Sequence, residues 1–137
     1  MLRFVPVRTK RWNDPADADD GLRLLICRIR PRGVSKAAET WDEWWPDLGP
    51  SRDLLDAFHG KSGPPLAWDA YEARYLEEMR GAASLWRIRA LAGRVAAGET
   101  ITLLCSSACT DPTHCHRTIM ARLIGRAKRS YSPLGSV

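Results

Sequence analysis

Two short apolar runs, Leu22-Arg-Leu-Leu-Ile-Cys-Arg-Ile29 and Ile101-Thr-Leu-Leu-Cys105, are separated by a long stretch of helix-periodic sequence. A strand that is apolar at nearly every position needs cover on both faces, which suits the interior of a parallel sheet. Parallel neighbours require crossover connections of about a dozen residues or more, and the intervening sequence supplies them. The pattern predicts an α/β fold, a small, mostly parallel sheet of about three to five strands with helices packed on its faces.

At 137 residues the chain is sized for one core,. We read residues 1–130 as a single α/β domain and residues 131–137, rich in Ser, Pro and Gly, as a frayed tail. A 45% apolar and 27% charged composition is that of an ordinary globular protein,. No run approaches the ~20 apolar residues of a membrane span, and Met1 to Arg8 lacks a signal-peptide core, so a cytoplasmic protein with no membrane partner is expected. In that compartment the four cysteines should be reduced thiols,.

Leu2 to Arg8 reads as a short or edge strand because Pro6 removes a ladder donor. Ser35 can cap a helix, and Thr40 with Glu43 has capping-box spacing around Trp41, Trp44 and Trp45. Ser51 can cap a short helix through Phe58, with Gly60 as its stop. Trp68, Tyr71, Tyr75 and Met79 share one helical face, as do Leu85, Ile88, Leu91 or Ala92, and Val95. Asp111 can cap the last helix with Pro112 at its first position.

Ligands of open parallel sheets bind beyond the carboxyl ends of the strands. That edge would collect Arg28, Arg30, Arg32 and Gly33 after the first apolar run, and Cys105, Ser106 and Ser107 after the second. The start of the last helix, with His114, Cys115, His116 and Arg117, would face them. Free amides and the positive helix end favour an anion there, and Arg117 can clamp one in bidentate fashion. A small anionic or phosphorylated ligand is therefore expected, with Arg30, Arg32, Gly33, Ser106, Ser107 and Arg117 around it.

Three chemistries fit the cysteines. Cys105, at a strand end beside basic residues and a helix start, can be a nucleophile with His116 or His114 as its base. It can equally fill the core, the default for a buried cysteine and for Cys27. Alternatively Cys105, Cys109, Cys115 and one of His114 or His116 supply a zinc-type donor set, although the paired knuckles of a zinc ribbon are missing. No cofactor is firmly implied. Residues 87–137 carry eight basic and two acidic side chains, so the competing reading is a non-enzymatic binding module, either metal-stabilised or bound to nucleic acid through basic residues 87–129. Walker, dinucleotide, Gly-x-Ser-x-Gly and His-Glu-x-x-His motifs are absent. Oligomeric state is left open.

The segment Arg28-Ile-Arg-Pro-Arg-Gly-Val-Ser-Lys36, then the tryptophan-rich stretch, Leu48-Gly-Pro-Ser-Arg-Asp-Leu54, Phe58, Tyr75 and Ile101 to Cys105, resembles in order the YeaO-like proteins of domain-of-unknown-function family 488. Arg30 stands where that family carries tryptophan. Asp111-Pro-Thr-His-Cys-His-Arg117 is similar to a Cys-His-Arg pattern in one branch of the family. The resemblance implies a compact α/β domain and supports a site without naming its reaction.

Overall fold

The computed structural model describes residues 7–130. The expected strand over Leu2 to Arg8 lies partly outside them, and the expected frayed tail wholly so. Four strands, β1 (Val7–Arg11), β2 (Leu22–Leu25), β3 (Glu43–Trp44) and β4 (Ile101–Cys105), form one sheet in the order β1-β4-β2-β3. Every neighbouring pair is parallel, with Leu24 opposite Leu103, Leu25 opposite Leu104, and Arg11 opposite Cys105. The helices are α1 (Arg52–Phe58), α2 (Trp68–Glu78), α3 (Ala82–Ala96) and α4 (His116–Arg129). This is the α/β class with the small parallel sheet read from the two apolar runs.

Alternation along the strands assigns the faces. Leu24, Ile26, Ile101 and Leu103 pack with Leu54, Tyr75, Leu91, Ile119 and Met120 in the main core, so all four helices contribute to one side. Leu25 and Leu104 point the other way, against Trp41, Trp12 and Val34. That second side is closed partly by ions. Asp20 is buried, and Arg23 Nη1 lies 2.6 Å from its Oδ2, with Lys10 Nζ at 2.9 Å and Arg8 Nη1 at 3.3 Å from Oδ1. Thr102, buried between them, donates its hydroxyl to the Asp20 carbonyl at 2.7 Å.

The helices follow their sequence signals with two adjustments. Ser51 caps α1 by accepting from the Leu54 amide at 3.1 Å, and Tyr71, Tyr75 and Met79 are buried at four-residue spacing along α2. Tyr75, fully enclosed, donates to the Leu48 carbonyl at 2.7 Å. On α3 the buried stripe begins at Ser84, which bonds to the Asp47 carbonyl, while Leu85 is only half-buried. Asp111 caps a short 3-10 turn, Pro112–His114, by accepting from the Thr113 amide, and α4 starts after it with Cys115 as N-cap.

The tryptophan-rich helix does not form. A 3-10 turn, Lys36–Ala38, is followed by the two-residue strand β3, which pairs Glu43 with Leu24 and Trp44 with Leu25. The exposed outer edge of β2 offered unpaired backbone groups, and pairing with them outweighed the helical spacing of the indoles. Thr40 donates its hydroxyl to the Trp12 carbonyl instead of closing a capping box. Among the three tryptophans only Trp41 is buried. Gly49 then brings the chain back against β2's exit: a side-chain carbon there would stand 2.3 Å from the Arg28 amide nitrogen.

Candidate functional site

The carboxyl ends of β2 and β4 open on a cavity of about 510 Å³. Its walls come from Cys27, Arg28 and Arg32 after β2, from Phe58 and His59 at the end of α1, from Tyr71 on α2, and from the loop between Cys105 and His116. The loop is pinned by the Arg11 guanidinium, which donates to the Ser107 carbonyl at 3.3 Å, and by the Trp12 amide on the Cys105 carbonyl at 2.8 Å.

Cys105 closes β4 with its side chain on the helix-covered face, the parity of Ile101 and Leu103,. His116 is the first residue of α4, and its Nδ1 lies 3.8 Å from the Cys105 sulfur. The other ring nitrogen, Nε2, is 2.9 Å from the Ile26 carbonyl. A carbonyl only accepts, so Nε2 carries the hydrogen and Nδ1 is left to take the thiol proton. Such a transfer would leave a buried thiolate facing an imidazolium.

The surroundings support that charge state. A hydrogen bond from the Cys27 thiol is the largest influence holding Cys105 below the ordinary thiol range; burial opposes it, and the His116 charge and the Ser106 amide add to it. The same Cys105 contact, together with burial, pushes the Cys27 thiol up, so of the two it is Cys27 that keeps its proton. For His116, burial is the largest influence and favours the neutral ring, but the Cys105 charge and the hydrogen bonds to Cys105 and to the Ile26 carbonyl together outweigh it and the pKa rises. The positive end of α4 lies at the same point.

A second pair of sulfurs adjoins the first. Cys109 and Cys115 form a disulfide across the loop, their Cα atoms 6.4 Å apart, within the normal span of such a bond,. This departs from the expectation of four free thiols. The Cys115 sulfur is also 3.3 Å from that of Cys105. Ligand atoms of Cys105, Cys109 and Cys115 all lie within 4.8 Å of one another, a cluster that could hold a metal ion.

The remaining site candidates separate. Arg32, Ser106 and Ser107 line the cavity; Arg30, Gly33 and Arg117 are not among its lining residues. Arg30 is held by Glu39 at 2.7 Å and by the Val34 carbonyl, with its guanidinium over the Trp41 ring. Arg117 is buried, donates to the Cys109 carbonyl at 3.4 Å, and leaves Nε and Nη1 without a partner among the described residues. His114 borders the cavity but is outside the sulfur cluster; it stacks on Trp68 and has Nδ1 3.5 Å from Asp111.

Sequence reasoning passed over two contributors. Cys27 was assigned to core packing, yet it follows a parallel strand just as Cys105 ends its neighbour, and adjacent parallel strands deliver such residues to one place. The aromatic wall of Trp12, Phe58 and Tyr71 was hidden because each comes from a different element. No helix among the described residues is long and apolar enough to cross a membrane.

Comparison with known proteins assigns the family. An uncharacterized protein of Mycobacterium tuberculosis is 36% identical over 94 residues, covering 69% of this chain and 77% of its own length. The uncharacterized YeaO protein of Escherichia coli is 37% identical over 73 residues, 53% of this chain and 61% of its own. No solved structure matches the chain. A family model described as the active DUF488-N3 subclade, DUF488-N3a, matches residues 7–128. The chain therefore belongs to the DUF488 family, as a YeaO-like member of its N3a subclade.

Proposed function

We propose that this protein is an enzyme in which Cys105 acts as nucleophile, with His116 as its base, on a small anionic or phosphorylated substrate held in the cavity. The observation that carries this reading is the bridging imidazole, 2.9 Å from the Ile26 carbonyl on one side and 3.8 Å from the Cys105 sulfur on the other. The carbonyl commits the ring to one tautomer, and the remaining nitrogen activates the thiol. The chain matches a family model described as an active subclade, which supports an enzyme without naming its reaction. An anion would meet the imidazolium, the first turn of α4, and Arg32 at the cavity rim. Arg28 shapes the wall instead, since its guanidinium is spent on the Gly49 and Pro50 carbonyls.

Competitive alkylation of the reduced protein tests the proposal. At pH 6 and low ionic strength, iodoacetate should label Cys105 faster than neutral iodoacetamide does, and inorganic phosphate should slow both. A Cys105 that titrates like a free thiol, near ~8.5, would remove the nucleophile, and equal rates with the two reagents would remove the anion.

A second reading has one observation in its favour, the clustering of Cys105, Cys109 and Cys115 within 4.8 Å. In the reduced protein three thiolates could take up zinc as a structural or binding centre. His114, offered by sequence as the fourth donor, is exposed and turned to Asp111 and Trp68, so this set has three protein ligands. Zinc content of protein purified under reducing conditions decides between the readings.

A further inference from the structure

The sulfurs of Cys105, Cys115 and Cys109 are ordered by accessibility as well as by distance. Cys105 and Cys115 are each 2% exposed, whereas Cys109 is half-buried on the loop. Cys115 is the middle member, bonded to Cys109 and 3.3 Å from the Cys105 sulfur. Only a small molecule entering the cavity can reach Cys105, while a dithiol in solution can approach Cys109.

We propose that these cysteines form a disulfide relay through which the protein reduces small hydroperoxides, passing the oxidation from Cys105 outward to Cys109. The proposal rests on the Cys105 and His116 reading given above. In the first step the Cys105 thiolate attacks the distal peroxide oxygen. An S–O bond forms, the O–O bond breaks, and the departing oxygen takes the proton of the His116 imidazolium, leaving Cys105 as sulfenic acid. Cys115 then attacks the Cys105 sulfur. The S–O bond breaks, and the hydroxide leaves as water with the Cys115 proton, giving a Cys105–Cys115 disulfide.

In the third step Cys109 attacks Cys115, Cys105 departs, and the Cys109 proton returns to His116. Departure of Cys105 is favoured because the imidazole that becomes charged in this step stands 3.8 Å from its sulfur,. One hydroperoxide is reduced to alcohol and water while two thiols become one disulfide. The observed state, Cys109 joined to Cys115 with Cys105 free, is the end of this sequence. A dithiol reductant resets it by exchange at Cys109, leaving as its own disulfide.

The test exposes the fully reduced protein to equimolar hydrogen peroxide at pH 7, quenches in acid, blocks thiols with N-ethylmaleimide and maps disulfides by mass spectrometry. Wild type should end with the Cys109–Cys115 disulfide, Cys109→Ser should stop at Cys105–Cys115, and Cys115→Ser should accumulate dimedone-reactive Cys105. Cys105→Ser should slow appearance of the Cys109–Cys115 disulfide by about tenfold or more, since an ordinary thiol is only a few per cent ionised at pH 7. Formation in that variant at the wild-type rate, or no Cys105–Cys115 disulfide in Cys109→Ser, overturns the relay. Iodoacetamide labelling of reduced wild type at pH 5 separates the two proposals: rapid labelling with a failed relay leaves the nucleophile standing, and slow labelling removes both.

Discussion

Nδ1 of His116 stands 3.8 Å from Sγ of Cys105, although a loop of ten residues separates them in sequence. The contact exists because β4 ends where α4 begins, and because the Ile26 carbonyl of the neighbouring strand holds the imidazole from behind. It makes the dyad a property of the sheet edge, and each part of that edge can be perturbed separately.

Replacing His116 with Gln removes the proton acceptor and the positive charge facing the sulfur. The Cys105 pKa should rise toward the ordinary thiol value, near ~8.5. Thiolate absorbance at 240 nm followed against pH in the reduced protein reads this directly. An unchanged titration would show that Cys27 and the Ser106 amide suffice without the imidazole.

Asp20→Asn should destabilise the fold by about 3–5 kcal/mol, because Arg23, Lys10 and Arg8 would be left around a neutral group. Burial raises the Asp20 pKa, but hydrogen bonds from Lys10, the Asp17 amide and Arg23 overcome it and hold it at about 2. A carboxylate depressed in the folded state contributes stability fully above its unfolded pKa, near ~3.9, and loses it as pH falls through the folded value. Urea unfolding at a series of pH values between 7 and 2 should show that acid-range loss in wild type and a flatter profile in the variant.

Tyr75→Phe retains the ring and deletes one hydroxyl. Leu48 then has a buried carbonyl without its 2.7 Å donor, which should cost about 1–3 kcal/mol,. Chemical denaturation with near-ultraviolet dichroism would detect it. A variant as stable as wild type would mean that water replaces the hydroxyl.

Gly49→Ala places a methyl group 2.3 Å from the Arg28 amide nitrogen, against backbone that cannot swing aside as a long side chain would. A loss of about 1–3 kcal/mol is expected from the overpacking. Iodoacetamide labelling of Cys105 should also change, since the displaced segment carries Arg28 and Pro50 of the cavity wall. Labelling and stability both unaltered would show that the segment yields freely.

If the cysteine cluster is the zinc centre of the second reading, uptake should depend on redox state. The reduced protein has three thiols within reach of one ion, whereas the disulfide leaves Cys105 alone. Equilibrium dialysis with zinc should find stoichiometric binding only after reduction, and Cys115→Ser should abolish it. Uptake by the oxidised form would place the metal elsewhere.

The sheet was legible because Leu22 to Ile26 and Ile101 to Cys105 are apolar on both parities, a pattern that only a covered parallel strand needs. The helical stripes of Tyr71, Tyr75 and Met79, and of Ile88, Leu91 and Val95, were legible for the same reason. β3 was not. Its two residues gain order from β2, and local spacing in Trp41, Trp44 and Trp45 carries no record of that neighbour. At the site, Cys105 and His116 were visible as residue types at element ends. The fates of Arg30 and Arg117 were not, because Glu39, Trp41 and the Cys109 carbonyl are brought to them by loop geometry.

The strand order has one more consequence. β1 and β3 are the outermost strands, and either rim could in principle recruit a foreign strand,. On one rim Arg8, Lys10 and Arg11 of the five-residue β1 are tied by ion pairs to Asp20, Asp17 and Asp14, and the other rim has only two residues to offer. An incoming segment would have to displace those paired side chains on the first and would find too few backbone groups on the second. Among the described residues the sheet is thus limited to its own four strands.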